Sequence, residues 1–316
     1  MSALPTPARI LGRCARLVAA CALVLLAAGC GRSQDKPYEP SYVSQVPVQP
    51  GLVYVLAVHP LHSPKRLFQV YQPLVDHLNT RLAGGAQLRL EASANYAAFE
   101  DKLKRREAHL ALPNPYQALE ARQHGYRVFA KMGDDANFRG IILMRKDSRV
   151  QHPRDLIGKA VSYPAPTALA ATLLPQSFLQ QNGVNVEQDL ENRYVGTQES
   201  SIMNVALGRT AAGTTWPQPW RAFVKEHAQL ADQLEVRWTT ESLVNNAVVA
   251  RDDLPPAFVD QLRKALLDLH QSSEGRDILA RMELSRFEPA TDKSYDVVRT
   301  FIERFERQVR LIKKPG

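Results

Sequence analysis

The chain has 316 residues, 40 of them Lys or Arg against 32 Asp or Glu, for a formal charge of +8; at this length, with 45% hydrophobic residues, it can build one large or two modest cores. All three cysteines, Cys14, Cys21 and Cys30, lie in the first 30 residues, which excludes a disulfide framework, a thiolate metal site and a cysteine nucleophile from the rest. Basic residues are scattered, with short clusters at 102–106 and 313–314 and no aromatic-interleaved basic stripe, so no nucleic-acid partner is expected.

The first segment, residues 1–29, has the three parts of a secretion signal. Arg9, Arg13 and Arg16 give a positive start without acidic residues, residues 17–28 are apolar, and Ala27, Ala28 and Gly29 are small. The apolar run is shorter than the roughly 20 residues that span a bilayer. Leu26-Ala27-Ala28-Gly29-Cys30 resembles the lipobox of bacterial lipoproteins, with the leucine one place early. That resemblance implies cleavage before Cys30, lipidation of its thiol and attachment to a membrane from the periplasm. Removing three arginines lowers the charge from +8 to +5. Residues 30–50 then read as a tether: Pro37, Pro40, Pro47 and Pro50 among Ser, Gln and Tyr, with no hydrophobic period.

Strand-like and helix-like runs alternate from residue 52. Residues 53–59 read as a buried strand, and 67–82 as a helix carrying Leu67, Val70, Tyr71, Leu74 and Leu78. Strands are predicted at 86–92, 109–112 and 127–131, with helices at 96–108 and 117–123 between them. A second set follows: strands at 141–145, 160–163, 193–196, 210–216 and 234–239, a helical turn at 153–157, and helices at 168–181, 200–207 and 219–227. A strand at 247–251 then feeds helices at 256–270, 274–282 and 295–312, the last with Val297, Val298, Phe301, Ile302, Phe305 and Val309 on its apolar stripe. This order predicts an α/β protein of two lobes, 51–138 plus 245–316 and 139–244, with C-terminal helices.

Several collinear segments resemble the phosphate/phosphite/phosphonate-binding family of ABC-transporter solute receptors. They are Tyr71-Gln72-Pro73-Leu74, Asn95-Tyr96 with Phe99, Pro113-Asn114-Pro115-Tyr116, the run 138–148, and the run 155–161 leading into Ser162-Tyr163-Pro164-Ala165-Pro166-Thr167. Gly196-Thr197-Gln198-Glu199-Ser200 and Ala211-Ala212-Gly213 complete the set. The resemblance implies a type II periplasmic-binding-protein fold whose central cleft takes a small anionic solute for an ABC permease. It also implies a monomer without cofactor or metal.

The site can be read from the residues beside that resemblance. A Pro-bounded turn opening the helix at Ala168 aims free backbone N–H groups at one spot, where an anion is stabilised. Thr167 is placed either to cap that helix or to donate to the solute. In the family this turn is rich in Ser and Thr and is followed by Gly; here Ala165, Pro166, Ala168 and Leu169 replace most of them. Tyr71 and Tyr116 match positions from which family tyrosines reach the ligand, the other reading being ordinary packing. Asn114 is either a turn-former or a donor. Gln198 stands where the family often has a histidine. Asn246 stands where an acidic residue would meet a substrate amine, which an amide cannot neutralise. Trp216 either walls the cleft or packs in the core.

An enzyme is the first rival. No HExxH, GxSxG, P-loop or GxGxxG pattern occurs; His59 and His62 flank Pro60 on what reads as a solvated loop, and Glu199 and Glu241 can be posed as paired carboxylates, but nothing else supports hydrolysis. The second rival is a receptor that presents its solute to a membrane sensor kinase or regulator.

Overall fold

The computed structural model describes residues 52–312. The expected signal segment, Cys30 and the tether lie outside the described residues, as does the 313–314 cluster.

Chain order begins with β1 (Val53–Val58), buried in all but its first residue. Helix α1 (Pro64–Asn79) starts at a proline, which the first turn tolerates because its N–H would be unbonded there. The helix buries Leu67, Val70, Tyr71 and Leu74 on one face. β2 (Gln87–Ala92), α2 (Tyr96–Lys104), β3 (Leu110–Leu112), α3 (Pro115–Gln123) and β4 (Tyr126–Met132) follow. Asn95 caps α2 by accepting from the Ala98 N–H, and Asn114 caps α3 in a reciprocal box with Gln117.

The chain then builds a second sheet: β5 (Arg139–Arg145), β6 (Ala160–Tyr163), α4 (Leu174–Gln181), β7 (Glu191–Tyr194), α5 (Gln198–Ala206), β8 (Ala212–Thr215), α6 (Pro217–Glu226), the short α7 (Ala228–Ala231) and β9 (Leu234–Ser242). It returns to the first sheet with β10 (Ala247–Arg251), α8 (Pro256–Asp268), α9 (Ser273–Arg281), β11 (Phe287–Pro289) and α10 (Asp296–Gln308). The sheet orders are β11-β4-β10-β3-β1-β2 and β7-β6-β8-β5-β9. β1 is parallel to β2 and β3, and β6 is parallel to β7 and β8; β10 and β5 run antiparallel to their neighbours. Parallel pairs with helices on the crossovers are an α/β architecture of the type II binding-protein kind.

The helix expected at 168–181 is two pieces. Residues Leu169–Leu173 form a wide π turn in which the Leu174 N–H donates to the Leu169 carbonyl, and α4 continues from Leu174. Pro175 is the cause. It has no N–H to give the Ala171 carbonyl, which instead accepts the Thr214 hydroxyl. Gly140 on β5 permits the arrangement, since a Cβ there would lie 2.6 Å from both the Ala170 carbonyl oxygen and Pro175 Cδ. The last helix ends at Gln308 rather than 312, and Arg310 beyond it is buried.

Candidate functional site

Because β1, β2 and β3 are parallel, the turns after them open on one side of the first sheet; β6, β7 and β8 do the same on the second. Ligand crevices of α/β sheets form at such strand ends. Here the two sets of turns enclose a cavity of about 10 Å³, lined by His59, Tyr96, Asn114, Phe138, Ala168, Leu169, Ala170, Ala171, Gln198, Trp216 and Asn246. Phe138 and Trp216 form an edge-on aromatic wall, their ring centres 5.5 Å apart. No Lys, Arg, Asp or Glu lines the cavity.

Backbone donors come from the π turn. The Thr172 and Leu173 N–H groups donate to the Ala168 carbonyl, and Leu174 to Leu169. The N–H groups of Leu169, Ala170 and Ala171 come earlier than any intrahelical acceptor and have no hydrogen-bond partner among the described residues, and all three residues line the cavity.

The side chains divide by what they can still give. Asn114 Oδ1 accepts from the Gln117 N–H at 3.1 Å, and its Nδ2 crosses to the Thr167 carbonyl at 3.3 Å. Gln198 Oε1 accepts from the Thr215 hydroxyl at 2.8 Å, and its Nε2 donates to the Tyr96 oxygen at 3.1 Å. Both amides are therefore engaged, while the Tyr96 hydroxyl keeps its own proton to donate. Burial pushes that hydroxyl's pKa up, so the proton stays. His59 Nδ1 is 2.9 Å from the Leu112 carbonyl, which only accepts, so Nδ1 carries the proton and Nε2 a lone pair. Burial lowers the His59 pKa to about 4, against a smaller raising effect of the Leu112 carbonyl, and the ring is neutral. Asn246 Nδ2 faces the Met132 sulfur at 3.6 Å, and its buried Oδ1 has no partner among the described residues.

Of the residues singled out in the sequence, Asn114, Ala168, Gln198, Trp216 and Asn246 meet at this cavity. Tyr71 does not; it lies in the core under α1, where burial raises its pKa. Tyr116 points to a groove between α3 and α10, with Arg122, Tyr126 and Arg299. Thr167 neither caps a helix nor faces the cavity: its hydroxyl donates to Glu100 Oε1 at 2.6 Å, and the cap position falls to Ala168, which has no side-chain oxygen. Glu100 also accepts from Gln117 Nε2 at 3.0 Å, and burial raises its carboxyl pKa against those two bonds. His59, expected on a solvated loop, is 2% exposed. Glu199 pairs with His227, whose Nε2 lies 3.3 Å from its carboxylate.

Sequence reasoning missed His59, Tyr96 and Phe138. His59 directly follows β1, Tyr96 opens α2 and Phe138 immediately precedes β5, and these places at element ends are the signal that was available. Among the described residues no group of three or more His, Cys, Asp and Glu is placed to hold a metal ion, and no helix is long and apolar enough to cross a membrane.

A family model described as "ABC transporter, phosphonate, periplasmic substrate-binding protein" matches residues 56–295. Among solved structures, a binding protein component of an ABC phosphonate transporter from Pseudomonas aeruginosa is 17% identical with a TM-score of 0.75, covering 82% of this chain and 88% of its own. PhnD1 from Prochlorococcus marinus, solved with methylphosphonate, is 20% identical with a TM-score of 0.74, covering 81% and 98%. A Xanthomonas citri protein solved with ATP is 16% identical with a TM-score of 0.66, covering 82% and 99%. At these identities the likeness is one of fold.

Proposed function

The chain belongs to the periplasmic substrate-binding protein family of phosphonate ABC transporters, and on that premise we propose that it captures a small phosphorus oxyanion, phosphate, phosphite or a phosphonate, in the cavity described above and hands it to the permease. The observation that carries this is the row of open N–H groups at Leu169, Ala170 and Ala171 in a buried cavity shared by both sheets. Such donors, with the helix dipole behind them, stabilise an anion without a formal positive charge. Room of about 10 Å³ suits one water molecule, so the lobes part to admit the solute and close on it. Asn246 offers an ammonium no carboxylate, which disfavours aminoalkyl phosphonates.

Calorimetry against phosphate, phosphite, methylphosphonate and aminoethylphosphonate tests the solute class, with saturable heat expected for at least one of the first three. Ala170→Asp puts a carboxylate among the donors, where like charge costs several kcal/mol; a folded variant that binds as the native protein does would move the site elsewhere. Anchoring through Cys30 is the second part of the proposal, resting on the lipobox-like run 26–30. Cys30→Ser is expected to shift the protein from the membrane to the soluble periplasmic fraction, and unchanged membrane recovery would remove the anchor.

A further inference from the structure

We infer that this site takes its solute as a hydrogen-bond donor as well as an acceptor: a tetrahedral oxyanion that still carries a proton, the monoanion rather than the dianion. The inference rests on the solute reading above and narrows it. Donors line one part of the cavity, the N–H groups of the Leu169 turn and the Tyr96 hydroxyl. Two other residues of the wall, Asn246 and His59, each leave an acceptor atom over.

The first is Asn246. Its amide nitrogen lies 3.6 Å from the Met132 sulfur. A thioether is an acceptor, so the nitrogen and not the oxygen belongs on that side. Oδ1 is then the atom left over, fully buried and without a partner among the described residues. An unanswered buried acceptor is destabilising because it gave up water for nothing, and a ligand O–H removes that penalty.

The second is His59, whose proton the Leu112 carbonyl holds on Nδ1, leaving the Nε2 lone pair. None of the neighbouring titratable groups answers either acceptor. Around His59 these are His62, Tyr96 and Glu100, the last engaged by Thr167 and Gln117. Around Asn246 they are Lys131, bound to Asp135 and Glu288, and Tyr295, bound to the Asn245 carbonyl.

A fully ionised phosphonate carries only lone pairs and would set them against both groups. A monoanion has at least one P–O–H to give. The uncharged lining adds to the preference, because desolvation rises with the square of the charge and a dianion costs about four times as much as a monoanion.

The test is calorimetric titration of the native protein with phosphate, methylphosphonate and methanesulfonate. It is run about one pH unit below and two above the solute's second ionisation, which is near pH 6 or higher for phosphoryl groups, so that His59, with a pKa of about 4, stays neutral in both arms. If only the monoanion binds, apparent affinity for the two phosphorus acids is about 100-fold weaker at the higher pH, in proportion to the competent fraction. Methanesulfonate is a tetrahedral monoanion at both values with no proton to donate. It is expected to bind at least tenfold more weakly than methylphosphonate does at the lower pH. Its own pH dependence also reports any titration of the protein. Methylphosphonate binding that is flat with pH, or tighter at the higher one, overturns the inference, as does methanesulfonate matching methylphosphonate. Absence of heat from every phosphorus oxyanion at both pH values removes the solute reading and this inference together. Flat phosphonate binding removes only the protonation claim.

Discussion

His59 shows how much one buried side chain decides. Its ring touches the edges of Tyr96 and Phe99, with centres 6.2 and 6.3 Å away, and gives its one proton to the Leu112 carbonyl. A pKa of about 4 in the folded chain against an ordinary 6.5 means the unfolded chain takes up the proton first. The His59 contribution to stability is therefore complete above pH 6.5 and is lost as pH falls toward 4, at about 1.4 kcal/mol per pH unit. Glu100 works in the opposite direction, because its raised pKa favours the folded state as pH falls. A comparison of single variants separates the two. His59→Asn keeps a donor for Leu112 but cannot titrate. Urea unfolding at pH 7 and pH 5 is expected to show a stability loss about 2 kcal/mol smaller in the variant than in the native protein. Parallel losses would mean that the imidazole is not held neutral by burial.

At the scale of elements, the alternation of apolar runs was enough to read most strands and helices, because buried parallel strands and amphipathic helices leave different periods. Three features escaped it. β11 has three residues, with Glu288 drawn to Lys131 and Pro289 at its end, too short and polar for any period to show. α2 stops at Lys104 and the chain turns through Arg106 at φ 55°, a left-handed residue that no pattern marks. The π turn depends on three residues at once, two of them distant in sequence: Pro175 withholds an N–H, Thr214 supplies the replacement donor, and Gly140 leaves room. Gly140→Ala tests that dependence. The new methyl meets a backbone oxygen and a proline ring, neither of which can swing aside, so the π turn itself has to move. Overpacking of this kind costs about 1–3 kcal/mol, and the donors at Leu169–Ala171 move with the turn. A lower urea midpoint together with weaker solute binding is expected; a variant equal to the native protein in both would show that the turn has slack.

At the scale of the molecule, the site was legible as a set of turns but not as a set of partners. Asn114, Gln198 and Asn246 stand out as polar residues at element ends, whereas nothing local says that Gln198 meets Tyr96 across 102 positions or that Thr167 is claimed by Glu100. Those contacts matter because they join the part of the chain carrying the first sheet to the part carrying the second without any solute. Arg66 reaches Glu226 at 3.0 Å, and Arg310 reaches Gln176 Oε1 at 2.9 Å and the Pro166 carbonyl at 3.1 Å. Glu283, held at φ 53°, binds Arg221 Nε at 2.9 Å and also Lys225, while its carbonyl accepts from Gln218. On the proposed opening and closing of the lobes, links of this kind favour closure, and apparent affinity scales with the fraction that is competent to close on the solute. Glu283→Gln removes the charge from two of them. Partly exposed ion pairs contribute about 0.2–1 kcal/mol each, so with two of them weakened apparent solute affinity is expected to fall by about two- to thirtyfold, at an unchanged preference among oxyanions. Small-angle scattering of the unliganded variant should show a larger radius of gyration than the native protein, because the first and second sheets are held together less firmly. If both the radius and the affinity stay as they are, the Glu283 cluster is a surface feature, and closure is governed by the contacts at the cavity itself.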